Sequence, residues 1–260
     1  MANMAEDEAG VSMDDILPFP AARDRQHEPS QAVFQQDWQV YRTVVDENYL
    51  FHREAYACLH QILVAEVTDP FRFLDIACGD ATASVDALLG TPIAHYYGID
   101  LSAAALDLAR QTLAVLACPV TIEQADFVEA LREWSAPVDV VWIGLSLHHL
   151  RTLEKLEVMR AIRTILGEDG LFLFYEVTSP DGEDRDRWLQ RWDEQEPFWT
   201  AYTPQEWETI TAHVHAADFP EMASRWVSLG QEAGFDEVRE VYVAPSDLIR
   251  LYAMRAGTGA

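Results

Sequence analysis

The apolar positions of the chain change period along its length, and the changes outline the fold. From Phe34 to Val67 they recur at helical spacing, with Trp38, Tyr41, Val44 and Val45 in one stretch and Ala55, Cys58, Leu59, Ile62 and Leu63 in the next. This predicts two helices joined near Asn48. From Phe71 onward, short apolar runs alternate with helical ones, the signature of a parallel sheet carrying helices on its faces. The predicted strands are Phe71–Ile76, Ala94–Asp100, Val120–Gln124, Val138–Gly144 and Leu171–Val177. Between them fall helices at Ala83–Leu89, from Ser102 to about Leu116, at Val128–Trp134, and from Leu153 to Leu166 with an end near Gly167. Ser102 suits a helix N-cap, because its hydroxyl can accept a free N–H of the first turn. The run Val138–Gly144 is apolar throughout, as a strand buried on both faces requires.

The alternation stops after Val177. Residues 180–220 are polar but carry Trp188, Trp192, Phe198, Trp199, Tyr202 and Trp207. A helix at Glu221–Ala233 follows, then strands at Phe235–Val243 and Arg250–Arg255 joined by a turn at Pro245, an expected antiparallel hairpin. The pattern predicts one doubly wound α/β domain over 31–260: a helical segment at 31–68, a core at 71–177, an aromatic-rich insertion at 180–220, and a last helix and hairpin at 221–256. Residues 1–30 hold acids and three prolines without apolar periodicity and read as a disordered acidic tail.

With 260 residues, 49% of them hydrophobic, the chain can bury a full core. No run approaches the ~18 apolar residues of a membrane span, and the acidic N-terminus lacks the basic and apolar segments of a secretory signal. A cytoplasmic protein without membrane contact is expected. The net charge of −26 arises from 44 acidic against 18 basic residues, and Lys155 is the sole lysine. Such a surface repels phosphate backbones, so nucleic acid is not an expected partner. Cys58, Cys78 and Cys118 are far apart and form neither a disulfide framework nor a zinc knuckle. His213 and His215 stand two apart on a predicted helix and face away from one another, so no metal site is expected.

Candidate chemistry concentrates where FLDIACGDATA, Phe73 to Ala83, places a small-residue turn between a strand and a helix. Ligands of open α/β sheets bind at the carboxyl ends of strands, and a backbone without bulk admits them closely. Gly79 gives that freedom, with Ala77 and Ala81 small beside it. Asp75, Asp100 and Asp126 fall at the ends of the first three strands and so reach one edge of the sheet. An acid ending the second strand can accept hydrogen bonds from ribose hydroxyls. A dinucleotide fingerprint would need G-x-G-x-x-G/A, and here Thr82 stands at its third position.

Together with the GID ending of the second strand, the ADF segment and VDVVWIGLSLHHL, this loop resembles the cofactor-binding core of class I S-adenosylmethionine (SAM) dependent methyltransferases. The departure is that the family's three loop glycines read Ala77, Gly79 and Ala81. The resemblance implies a Rossmann-like seven-stranded sheet, SAM as cofactor with S-adenosylhomocysteine as product, and cofactor contacts from Asp75, Ala77, Gly79, Asp100, Leu101, Asp126, Phe127 and Leu145. In this reading Asp75 reaches toward the methionyl ammonium, Asp100 takes the ribose, and Leu101, Asp126 and Phe127 surround the adenine.

Methyl transfer needs an aligned nucleophile in a dry site, and a base only for some acceptors. Candidate catalytic residues are His148 and His149 after the fourth strand and Glu176 at the end of the fifth. Candidate acceptor contacts are Arg42, Tyr49, His52, Tyr175 and Trp199. The expected reaction is methylation of an N or O nucleophile on a small molecule by a monomer or homodimer. Two alternatives stand: an enzyme that modifies SAM itself, since Trp226 to Leu251 is loosely similar to the end of carboxy-SAM synthases, and a binding subunit without turnover.

Overall fold

A computed structural model describes residues 38–257, so the expected acidic tail lies outside the described residues. The N-terminal segment forms α1 (Trp38–Asp46) and α2 (His52–Glu66), separated at Asn48 and Phe51, both with positive φ. The core then alternates: β1 (Phe71–Ile76), α3 (Thr82–Leu88), β2 (Ile93–Asp100), α4 (Ala103–Thr112), β3 (Val120–Gln124), α5 (Phe127–Glu133), β4 (Val138–Gly144), α6 (Thr152–Ile165) and β5 (Leu166–Ser179). The expected cap is present, with Ser102 Oγ accepting from Ala105 N at 3.2 Å. The insertion supplies α7 (Arg185–Asp193) and α8 (Pro204–Ala217). The chain ends with β6 (Glu221–Met222), α9 (Ala223–Glu232), β7 (Glu237–Val243) and β8 (Ile249–Arg255).

The strands lie in the order β3-β2-β1-β4-β5-β8-β7. The first five are parallel, and β8 runs antiparallel to both β5 and β7, closing the sheet with the expected hairpin. One difference from the seven-strand expectation is β6. Glu221 and Met222 pair with Thr178 and Ser179 of β5, which delays the start of the last helix to Ala223.

The sheet separates two apolar layers, as period-2 side-chain alternation demands. Phe73, Val140, Trp142, Leu171 and Leu173 face α2, α3 and the insertion. Leu74, Val141, Ile143, Phe172 and Phe174 face α6 and α9, where Trp226 is fully buried. Because β1 and β4 adjoin, the chain leaves for opposite sides of the sheet between them, opening a crevice at their carboxyl ends. No helix among the described residues is long and apolar enough to cross a membrane.

Candidate functional site

The crevice is a cleft of about 650 Å³ between the β1–α3 loop and the N-terminal helices. Its floor is Ala77, Cys78 and Gly79, with Gly144 from the end of β4; its roof is the face of α2 that carries His52, Tyr56 and His60. These three stand at i, i+4 and i+8, one side of a helix. At Gly144 a side chain would meet the Tyr56 hydroxyl at 3.2 Å, so glycine keeps this end of the cleft open. Trp142 Nε1 donates to that hydroxyl at 3.2 Å.

The floor loop is held in an unusual conformation. Ala77, Gly79 and Ala81 all have φ between 55° and 58°, a left-handed backbone that glycine adopts freely and alanine at a cost of about 1–2 kcal/mol. The chain thus keeps the loop geometry at the two positions where alanine replaces glycine. Asp100 secures it, with Oδ2 accepting from Gly79 N at 2.9 Å and Oδ1 from Ser102 N at 2.7 Å. Burial raises the Asp100 pKa above the usual carboxylate range, opposed by these N–H groups. With the Leu101 N–H also directed at it, the carboxylate still keeps acceptor capacity for a further donor.

The other sequence candidates divide. Asp75 turns inward: it is 1% exposed, accepts from the Tyr96 hydroxyl at 2.7 Å and is pushed up to about 7 by burial. A direct contact with a ligand ammonium is therefore replaced by an internal anchor under the loop. Asp126 caps α5, Oδ1 accepting from Val128 N at 2.8 Å, and Phe127 packs on the α6 side of the core. Leu101 follows Asp100 at the surface edge, its carbonyl accepting from Gln124 Nε2 at 3.1 Å. Leu145, at φ 49°, joins the strand ends by donating to Tyr175 O at 2.8 Å.

Of the acceptor candidates, His52 lines the cleft and burial lowers it to about 4, leaving a neutral imidazole at neutral pH. Its ring meets Tyr175, which is fully buried, edge-on at 5.9 Å. Arg42 lines the mouth, exposed and 3.8 Å from Asp46. Tyr49 and Trp199 are brought together as a stack with centroids 4.6 Å apart, and Tyr49 Oη accepts from Ala201 N at 2.7 Å. Trp199 also packs on Trp192 and Trp207. The insertion aromatics thus pack on one another within the apolar layer on this side of the sheet and clasp the N-terminal segment.

The expected catalytic trio is organised around Glu176. This carboxylate is fully buried and accepts from Ser146, Leu147, His148 and Val177 N–H groups, with Oε1 also 2.6 Å from His148 Nδ1. Glu176 therefore fixes the turn after β4, and a buried, saturated carboxylate is not placed to deprotonate an acceptor in the cleft. Burial alone would lower His148, but the Glu176 and Asp218 carboxylates outweigh it and hold the ring above its ordinary range. His149 is partly exposed beside it, and burial with the neighbouring imidazoles of His148 and His213 lowers it. Sequence reasoning missed Tyr56, His60 and Gly144 at the cleft. The i, i+4, i+8 spacing from His52 was a usable signal for the first two. It also missed Asp218, whose place beside these histidines depends on the packing of α8 and has no local signature.

Residues 73–170 match the family model described as a methyltransferase domain. Over this core the chain is similar to methyltransferase domains, and its fold is the Rossmann-like fold of class I SAM-dependent methyltransferases. The domain is similar in fold to the magnesium protoporphyrin IX methyltransferase of Synechocystis with bound S-adenosylhomocysteine, with a TM-score of 0.58 and 12% identity over 86% of this chain and 96% of that one. In sequence the chain is 25% identical to polyamine aminopropyltransferase 2 of Bacillus cereus, over 81% of its own length and 57% of the relative's. It is 23% identical to the carboxy-S-adenosyl-L-methionine synthase of Nitratiruptor, over 55% of its length and 59% of that protein's. It thus spans less than two thirds of the curated relatives it matches. The strand order, the hairpin and the left-handed loop agree with the architecture that the motifs imply.

Proposed function

We propose that the protein binds SAM in the cleft and transfers its methyl group to an N or O nucleophile of a small molecule, acting as a monomer or homodimer. The observation that carries the reading is the convergence of the left-handed loop 77–81, Asp100 and Gly144 at the carboxyl ends of β1, β2 and β4. The residues fit the cofactor: the loop presents backbone without bulk, and Asp100 keeps acceptor capacity for ribose hydroxyls. SAM, when bound, supplies an electrophilic methyl group on a sulfonium.

The chain's own contribution is orientation and exclusion of water. Asp100 holds the nucleoside end, Ala77 to Gly79 line the cleft floor, and the face of α2 with His52, Tyr56 and His60 covers the acceptor. His52, neutral at physiological pH, offers a hydrogen bond to an acceptor hydroxyl or amine without placing a charge in the cleft. No strong base is required when the acceptor carries a free lone pair, and proximity then supplies most of the acceleration.

Calorimetric titration with SAM and S-adenosylhomocysteine tests the reading. Asp100→Ala removes both the ribose acceptor and the Gly79 anchor, so affinity falls by about one to two decades, as loss of a charged hydrogen bond predicts. Asp100→Asn retains one acceptor oxygen and falls less. Unchanged affinity in both folded variants contradicts the assignment. Mass analysis of ligand retained through mild purification separates the alternative, since carboxy-SAM in place of SAM or S-adenosylhomocysteine marks an enzyme that modifies the cofactor.

A further inference from the structure

Behind the turn after β4 lies a second polar centre that methyl transfer does not use. Asp218, directly after α8, is 5% exposed, and its Oδ1 is buried without a hydrogen-bond partner. Three imidazole nitrogens surround that oxygen: His149 Nδ1 at 3.7 Å, His148 Nε2 at 3.8 Å and His213 Nε2 at 3.9 Å. These separations exceed hydrogen-bond length. His149 Nδ1 also stands 3.4 Å from the Ala217 carbonyl oxygen and would give up that contact to a metal. Yet the ligand atoms of His148, His149 and Asp218 all lie within 4.8 Å of one another. A buried carboxylate oxygen ringed by nitrogens at this range is poorly accounted for by direct pairing. Ligands around a tetrahedral zinc with bonds of 2.0–2.2 Å stand roughly 3.3–3.5 Å apart, so the nitrogen–carboxylate separations need to close by only a few tenths of an ångström, and the imidazoles would turn toward one another as the ion binds.

The surroundings have the second shell that such a site needs. Glu176 Oε1 stands 2.6 Å from His148 Nδ1, which orients the ring with Nε2 toward Asp218, where a metal ion would displace the Nε2 proton. Glu176 is itself locked by backbone N–H groups, so the ring is held in one orientation. The nearby cation Lys155 is committed to Glu221 at 2.9 Å and does not neutralise Asp218 directly. His149, with its side chain 30% exposed, leaves a path from solvent.

We propose that His148, His149 and Asp218, with His213 as the fourth candidate, bind one divalent first-row transition ion of the zinc class. The nitrogen-rich, single-carboxylate set favours zinc or cobalt over magnesium or calcium, which take oxygen ligands. Bound there, the ion pins α8, and with it the aromatic insertion, to the turn that follows β4. The site is built from residues 148, 149, 213 and 218, which explains why sequence spacing alone does not disclose it.

The test is titration of the chelator-treated full chain with Zn²⁺ by calorimetry and with Co²⁺ by visible absorption, followed by metal analysis after gel filtration. The expected result is one ion per chain, a raised melting temperature, and a Co²⁺ spectrum of a low-coordinate nitrogen and oxygen site. Asp218→Asn and His149→Ala each weaken binding by at least tenfold, as loss of a ligand should. His215→Ala, which removes an exposed histidine paired with Asp193, leaves binding unchanged. Thermal melts without metal establish that the variants fold; a variant that does not is replaced by His213→Gln. Absence of stoichiometric Zn²⁺ binding by the parent chain, or binding that survives both ligand substitutions, overturns the proposal. The readouts are independent of SAM affinity, so failure here leaves the cofactor assignment standing.

Discussion

Asp75 is a buried carboxyl near the end of β1, beside the cofactor loop. It is enclosed with Tyr96 and Ser84 and holds its proton up to about pH 7, through burial first and the nearby Asp100 charge in addition. The unfolded carboxyl releases its proton near 4. Between those values the folded state binds more protons, so the stability contributed by this group is full below about pH 4 and lost as pH rises through about 7. The cost at complete titration is roughly 4 kcal/mol by linkage. Asp75→Asn keeps an acceptor for the Tyr96 hydroxyl and removes the ionisation. Urea midpoints measured from pH 4 to 8 should therefore decline for the parent relative to Asp75→Asn, and parallel profiles would show that Asp75 is ionised in the folded protein. Asp126 caps α5, a contact that is a local property of the residue and visible in the ADF segment.

At the scale of elements, β1 and β4 were legible because burial on both faces leaves an unambiguous apolar run, and the mostly exposed edge strand β3 was legible from its place in the alternation. Phe71–Ile76, Val120–Gln124 and Val138–Gly144 begin and end where the pattern places them. Less legible was β6, because two residues that pair only with the end of β5 carry no period. The cofactor loop was legible from its small residues, whereas the place of Asp218 beside His148 and His149 was not, since it depends on how the end of α8 packs against the turn after β4. The aromatic insertion joins these cases. Its tryptophans signal burial, but only the fold shows that Trp199 stacks on Tyr49 and ties α7 and α8 to the segment between α1 and α2. The two segments should therefore open as one unit. In amide hydrogen exchange, Trp199→Ala is expected to raise exchange over 42–52 as well as 185–215, with β4 unchanged. Loosening confined to the insertion would mean that the N-terminal segment is held by α2 alone.

Over the whole molecule, a strongly acidic surface encloses a site whose own charges are mostly buried or paired. The net charge of −26 disfavours a phosphate-backbone acceptor and agrees with a small molecule entering between α2 and the loop after β1. The central claim is that this cleft, and no other part of the described structure, receives the cofactor. The most direct measurement is a crystal structure of the complex with S-adenosylhomocysteine. The ribose hydroxyls are expected against Asp100, the homocysteine portion along Ala77 to Gly79, and open space beside the sulfur facing Gly144, Tyr56 and His52. A ligand bound away from Asp100, or a cleft that stays without ligand at saturating concentration, would contradict it.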